Sequence, residues 1–328
     1  MITVYLPTFN RGPRLREALT SLGLQTLPRD RFRVIVADNA STDDTGEVIR
    51  GFADIPIVHI RRDRNVGLVA NWCRAADFFD SEYFQFLSDD DLLAPYHLEF
   101  CLRQLEARRD VGVFGTGVIY GEGIWEPDTR RGDLRLGDSL LDRRDFCCHW
   151  SREGWLAAHS VYSAVNINAC VFRTAALRGI EPLFDAAVSP IIDRWLMAQV
   201  GARTSCVTSP WPTCALRVHG DNAVHGTGLE DIEDVARDVA RRVLDLAGGC
   251  GVDLAGFWKR FFRDSGRDRR DVADLIRHAY GADLAAAILE GVDSPSRRLD
   301  RWPLPPGLKD GLREWRARWR RRLRARAE

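Results

Sequence analysis

From residue 1 to about 120, short runs of β-favouring residues alternate with stretches in which apolar side chains recur every three or four positions. The runs are Ile2–Leu6, Arg33–Ala37, Ile57–Ile60, Tyr83–Leu87 and Val111–Phe114. Between them lie three helical faces: Leu15, Ala18, Leu19 and Leu22; Val48, Ile49 and Phe52; Val69, Trp72, Cys73, Ala76 and Phe79. Strands alternating with helices predict an α/β fold in which a mostly parallel sheet carries helices on its faces. Ligands of such open sheets sit beyond the carboxyl ends of the strands, so the residues just after each run are where chemistry is expected.

After Gly121 the alternation fades into a Gly-, Asp- and Arg-rich stretch to about Arg144, expected to be loop. Residues 145–220 mix short apolar runs with Trp150, Trp155, Trp195 and Trp211. Ile232, Val235, Val239, Val243 and Leu246 then predict a helix over 231–247 that Gly248–Gly249 closes. The remainder has helical spacing, broken at Ser294–Pro295 and Pro303–Pro306. The expected division is 1–120, 121–225 and a C-terminal helical region over 226–328.

Composition narrows the class. The 328 residues are 45% hydrophobic, and 47 Lys and Arg balance 47 Asp and Glu. This is enough for a sizeable core and excludes a disordered or collagen-like chain. No apolar run approaches the ~18 residues of a membrane span. The opening Met1–Thr8 lacks the basic stretch and longer apolar run of a signal peptide, so a cytoplasmic protein is expected. Eight cysteines without a C-x-x-C pair are expected to be reduced and mostly buried.

The overall neutrality hides an asymmetry. Lys309–Glu328 holds nine Lys and Arg against three acids, a net +6, which leaves −6 on the rest. Leu308, Leu312, Trp315, Trp319 and Leu323 form one apolar stripe on this basic segment. Such a helix suits an anionic membrane surface, and peripheral attachment to the inner face through 308–328 is expected. The alternative is a terminal helix packed on the domain or on a second copy in a homo-oligomer. Nucleic acid is not an expected partner, because the other 308 residues are net acidic.

The strand ends carry the candidate chemistry. The first strand is followed by Pro7–Arg11, the second by Asp38–Asp44 and the fourth by Ser88–Asp91. Asp38 alone reads equally as a turn former or helix cap. Three consecutive carboxylates repel one another and call for a compensating cation. Hard oxygen ligands suit Mg²⁺ or Mn²⁺, whose remaining positions a nucleoside diphosphate can fill.

Taken in order, Leu6–Arg11, Gln25–Thr26, Val36–Asp43, Arg64–Gly67 and Phe86–Asp91 with Pro95 resemble the inverting glycosyltransferases of family two, which have the Rossmann-like GT-A fold. The resemblance spans residues 1–120, and 160–222 more loosely. It implies that Thr8 and Asp38 hold the nucleotide base, with Pro7, Asn10, Arg11, Asn65 and Gly67 lining the donor site. It places Asp89 at the ribose and Asp90 on the metal with Asp91 as a third acid, while Ser88 departs from the family's usual first aspartate. Leu216–Asn222 looks like the family's Arg-x-His segment, which puts Arg217 on phosphate and His219 on the diphosphate or metal. Asp193 resembles the acceptor-side base, although Ile192 stands where the family often has a second acid.

The implied activity is a Mn²⁺- or Mg²⁺-dependent transfer of a sugar from a nucleoside diphosphate to a hydroxyl of a glycan, lipid-linked or small-molecule acceptor. UDP is the expected nucleotide, ahead of dTDP and GDP. An inactive nucleotide-sugar-binding module is the alternative. Asp193 also reads as a helix cap, and Trp150, Trp155 and Trp195 as core residues or sugar platforms. A pyrophosphorylase is disfavoured because Asn10–Pro13 is too glycine-poor to cradle a triphosphate. A dehydrogenase is disfavoured because Gly115-x-Gly117 lacks the third glycine.

Overall fold

The computed structural model describes residues 1–121, 147–217, 219, 229–264, 276–277, 280 and 285–286. The expected loop over 122–144, the breaks at 295 and 303 and the basic segment 308–328 lie outside the described residues. The chain divides into two compact units. The first comprises Met1–His149, Val165–Ala186 and Arg203–His225; the second comprises Trp150–Ala164, Ala187–Ala202 and Gly226–Glu328.

The first unit is built on strands β1 (Ile2–Thr8), β2 (Phe32–Asp38), β3 (Ile57–Arg61), β4 (Tyr83–Phe86), β5 (Leu92–Leu93), β6 (Val111–Gly121), β7 (Cys148–Trp150), β8 (Cys170–Arg173) and β9 (Ser205–Arg217). Eight of them lie in the order β3-β2-β1-β4-β8-β6-β9-β5, and β7 pairs with β9. β3, β2, β1 and β4 are mutually parallel, β8 runs antiparallel between β4 and β6, and β9 is parallel to β6. The α/β expectation holds, but the sheet is more mixed than the alternation predicts. β5, β8 and β9 have no clear signature in the sequence: β5 and β8 are short, and β9 contains Pro210 and Pro212 with register shifts along its pairing.

β1 is buried along its whole length, which is why it reads as a continuous apolar run. On one face Val4 and Leu6 join Val34, Val36 and the Leu15, Ala18, Leu19 and Leu22 stripe of α1 (Gly12–Gly23) in the main core. An aromatic cluster fills another part of the core. Phe86 packs at 5.0 Å from Phe84, 5.3 Å from Phe184, 5.9 Å from Phe172 and 6.0 Å from Trp72. α2 (Thr45–Arg50), α3 (Leu68–Cys73) and α4 (His97–Glu106) follow β2, β3 and β5. The single helix expected over 69–79 is instead α3 followed by a 3₁₀ turn, Arg74–Phe78. Three residues per turn rather than 3.6 rotates the inward face, so Ala75 is buried and Ala76 is exposed.

The second unit is helical: α5 (Arg152–Val161), α7 (Ile192–Arg203), α8 (Leu229–Gly249) and α9 (Leu254–Asp264), while the short α6 (Thr174–Leu177) belongs to the first. Ser151 caps α5 by accepting from the Gly154 N–H at 3.0 Å. Trp155 is 1% exposed, donates from Nε1 to the Met197 carbonyl at 2.7 Å and lies against Gly201, where a Cβ would strike the indole. Trp155 is therefore a core residue. All eight cysteines are free; Cys101, Cys170, Cys206 and Cys214 are buried and the others half-buried.

Candidate active site

The chain lays β2 and β3 on one side of β1 and then returns to place β4 on the other, which makes the carboxyl ends of β1 and β4 the switch point of the sheet. Register does the rest. Thr8 is level with Asp38, and Tyr5 with Phe86, so the residue three places beyond Phe86 arrives beside Thr8. That residue is Asp89, whose Oδ2 accepts from Thr8 Oγ1 at 2.7 Å in a buried hydrogen bond.

The acidic turn is compensated by cations from two distant segments. Arg11 Nη1 lies 3.2 Å from Asp89 Oδ1 and 2.9 Å from Asp90 Oδ2. His219 Nε2 stands 3.0 Å from the same Asp90 oxygen, and Arg217 Nε donates to the Asp90 carbonyl. Burial, reinforced by Asp90, pushes the Asp89 carboxyl up to about 6 against the opposing pull of Arg11 and Thr8. Burial pulls Arg217 down to about 10, helped by Arg14. Burial also lowers His219 below its ordinary value, towards the neutral imidazole that can ligate a metal, while Asp90 opposes the shift.

Asp91, expected on the metal with Asp90, accepts a hydrogen bond from a protein donor at each oxygen. Oδ2 accepts from Asn168 Nδ2 at 2.6 Å and Oδ1 from the Arg217 backbone N–H at 2.9 Å. Its role in the structure is to tie the acidic turn to the start of β8 and the end of β9.

The ends of β1 and β2 are laced together. Asn10 and Ala40 both adopt left-handed backbone, at φ 52° and 67°. Asn10 Oδ1 accepts from the Thr42 N–H at 2.7 Å, and Ser41 Oγ accepts from the Asn10 N–H at 2.9 Å. Asp38 is 1% exposed; its Oδ1 accepts from the Ser41 N–H at 2.8 Å, and its Oδ2 lies 3.4 Å from both Arg61 Nε and His59 Nε2. The turn-forming reading of Asp38 is thus what its geometry displays. Pro7 is buried within β1 opposite Ala37. Asn65 Oδ1 accepts from the Gly67 N–H at 2.8 Å and from Asn39 Nδ2 at 2.7 Å, and Gly67, at φ 85°, is the residue from which α3 starts. Asn39 and Asn168 escape sequence reasoning: Asn39 stands beside a suspected site residue, and nothing in the sequence points to Asn168.

The donor set fits a hard divalent ion. Two ligands in adjacent octahedral positions, each ~2.1 Å from Mn²⁺ or Mg²⁺, stand about 3.0 Å apart. Asp90 Oδ2 and His219 Nε2 are hydrogen-bonded at 3.0 Å, close enough for one ion to take the place of the proton between them. Among the described residues no three His, Cys, Asp or Glu side chains converge on one point. Such ions take few protein ligands when phosphate oxygens complete the shell.

Asp193 belongs to the second unit, in the first turn of α7. Burial raises its carboxyl, offset in part by backbone N–H groups and Arg194. Arg194 is 4% exposed and donates to the His159 and Ser160 carbonyls.

The family described as Glycosyl transferase family 2 matches residues 3–152, which include the acidic turn and both laced strand ends. Residues 3–152 are thus similar to family 2 glycosyltransferases. An abequosyltransferase of Salmonella typhimurium is 30% identical over 114 residues, 34% of each chain. An uncharacterized glycosyltransferase of Methanocaldococcus jannaschii is 28% identical over 123 residues, 37% of this chain and 42% of its own. The chain thus matches less than half the length of these curated relatives. In three dimensions, S. aureus TarS residues 1–349, solved with UDP-GlcNAc, superimposes with a TM-score of 0.62 at 17% identity, covering 88% of this chain and 83% of that one. The fold is GT-A, and among the described residues no helix is long and apolar enough to cross a membrane.

Proposed function

We propose that the protein transfers a sugar, with inversion, from a nucleoside diphosphate to an acceptor hydroxyl. The observation that carries this reading is the convergence of Thr8, Arg11, Asp89, Asp90, Arg217 and His219 at the switch point of the sheet. In this reading Thr8 and Asp38 serve the base and Asp89 the ribose. Arg11 and Arg217 supply positive charge for the diphosphate, a role for which the guanidinium fork is suited. Asp90 and His219 would hold a Mn²⁺ or Mg²⁺ ion, which when bound neutralises charge on the leaving diphosphate. Asp193 accepts the proton of the acceptor hydroxyl as its oxygen bonds to the anomeric carbon and the bond from that carbon to the diphosphate oxygen breaks. A carboxyl already raised by burial is a better base than an ordinary aspartate.

UDP is the nucleotide we assign, in keeping with the UDP-GlcNAc held by TarS, with dTDP and GDP as the alternatives. A glycan or lipid-linked acceptor is proposed, reached at the inner membrane face through the basic segment 308–328. The second reading, an inactive nucleotide-sugar-binding module, is favoured by Ile192 in place of a paired acid.

Calorimetric titration of UDP, dTDP, GDP and CDP, with Mn²⁺ and then with EDTA, tests the donor site in the wild type and in Asp90→Ala. One nucleotide should bind, and its binding should need both Mn²⁺ and Asp90. Binding of none of the four with Mn²⁺ present overturns the reading.

A further inference from the structure

Asn168 lies far in sequence from the acidic turn, yet its side chain bonds to both ends of that turn. It is 5% exposed. Its Oδ1 accepts from the Ser88 N–H at 2.9 Å, and its Nδ2 donates to Asp91 Oδ2 at 2.6 Å and to Ser88 Oγ at 3.1 Å. One side-chain amide therefore holds both ends of the four-residue turn whose middle presents Asp89 and Asp90. Asp91 is gripped from its other oxygen by the Arg217 N–H, and Arg217 begins the segment that brings His219 to Asp90.

Asn168 is itself fixed. Gln85 Nε2 donates to the Asn168 carbonyl at 3.0 Å, and Gln85 Oε1 faces His97 Nε2 at 3.2 Å. His97 Nδ1 faces Thr213 Oγ1 at 2.5 Å, Thr213 donates to Thr116 Oγ1 at 2.7 Å, and Thr116 donates to the Ala169 carbonyl at 3.2 Å. Gln85, His97, Thr213 and Thr116 are all buried, so this loop of hydrogen bonds closes on the residue after Asn168 without solvent. Hydrogen bonds in a buried, low-dielectric setting are strong, so these contacts hold the backbone around Asn168 in place.

We propose that Asn168 is a positioning residue for the divalent ion: it sets the spacing of Asp90 and His219 by clamping Ser88 and Asp91. The inference rests on the donor-site reading above. Partners of this kind, one shell out from a ligand, are worth about 10- to 100-fold in metal affinity.

The test is Mn²⁺ binding, followed by the paramagnetic resonance of free Mn²⁺ in the presence of UDP, alongside thermal melts. Asn168→Ala should weaken Mn²⁺ at least tenfold while melts show the variant still folded at the assay temperature. Asn168→Asp sets two carboxylates face to face and should weaken Mn²⁺ further. The paired exchange of Asn168→Asp with Asp91→Asn restores a donor facing an acceptor and should recover most of the affinity. Unchanged Mn²⁺ affinity in Asn168→Ala, or no recovery in the paired exchange, overturns the inference. If Asp90→Ala also leaves Mn²⁺ affinity unchanged, the donor-site reading itself has failed.

Discussion

Replacing Thr8 by Val removes one hydroxyl hydrogen bond to Asp89 and preserves shape, and its effect should depend on pH. Asp89 is 5% exposed, and its carboxyl titrates at about 6 in the folded protein rather than at its ordinary 3.8. The folded state thus holds this proton more tightly than the unfolded one. Asp89's contribution to stability is full below pH ~4, falls by ~3 kcal/mol as pH rises to about 6, and is constant above. Thr8 moderates that loss by donating to the ionised form. A hydrogen bond to a charged group is worth ~1.5–3 kcal/mol and one to a neutral group ~0.5–1.5 kcal/mol. Thr8→Val should therefore destabilise the protein by ~1.5–3 kcal/mol at pH 8 and by about 1 kcal/mol less at pH 4.5. Urea unfolding of both proteins at the two pH values, in EDTA and without nucleotide, measures the difference. Equal losses at pH 8 and pH 4.5 would refute the idea that Thr8 serves the carboxylate.

Two further outcomes follow from the same structure. Asp193→Asn should lower turnover by about 10²- to 10⁴-fold and abolish the fall in rate at acid pH that titration of a raised carboxyl imposes, while UDP binding by calorimetry stays at the wild-type value; retained turnover would remove Asp193 as the base. Gly115→Ala should cost ~1–3 kcal/mol in urea unfolding, because its Cβ would meet Val165 Cγ1 at 2.6 Å and Cys170 Sγ at 3.1 Å in the core of the sheet.

The half of the sheet that carries the strand-end motifs was legible because parallel strands buried on both faces read as apolar runs, and β1, β2 and β4 are such strands. The acidic turn was legible because adjacent like charges demand an explanation wherever they occur. Its construction was not. Asp91 meets Asn168 across 77 positions and Arg217 across 126, and no local pattern encodes a pairing of that span. This is why three neighbouring aspartates read as near-equivalent acids, although Asp91 also ties the turn to Asn168 and Arg217. β9 was hidden for a related reason: Ser205, Thr208, Ser209 and two prolines deny it a strand's alternation, and its pairing with β6 supplies what propensity does not.

The placement of β8 orders events during synthesis. β8 enters between β4 and β6, so the outer edge of β4 has no partner until residue 173 has been made. A nascent chain that has emerged only as far as β6 exposes that edge together with an acidic turn lacking both Asn168 and Arg217. Its hydrogen-bonding groups are then open to a neighbouring chain, the hazard of any bare strand edge. Half the sheet must wait for a strand encoded some 80 residues downstream of its neighbour, which gives the domain a slow, non-local closing step.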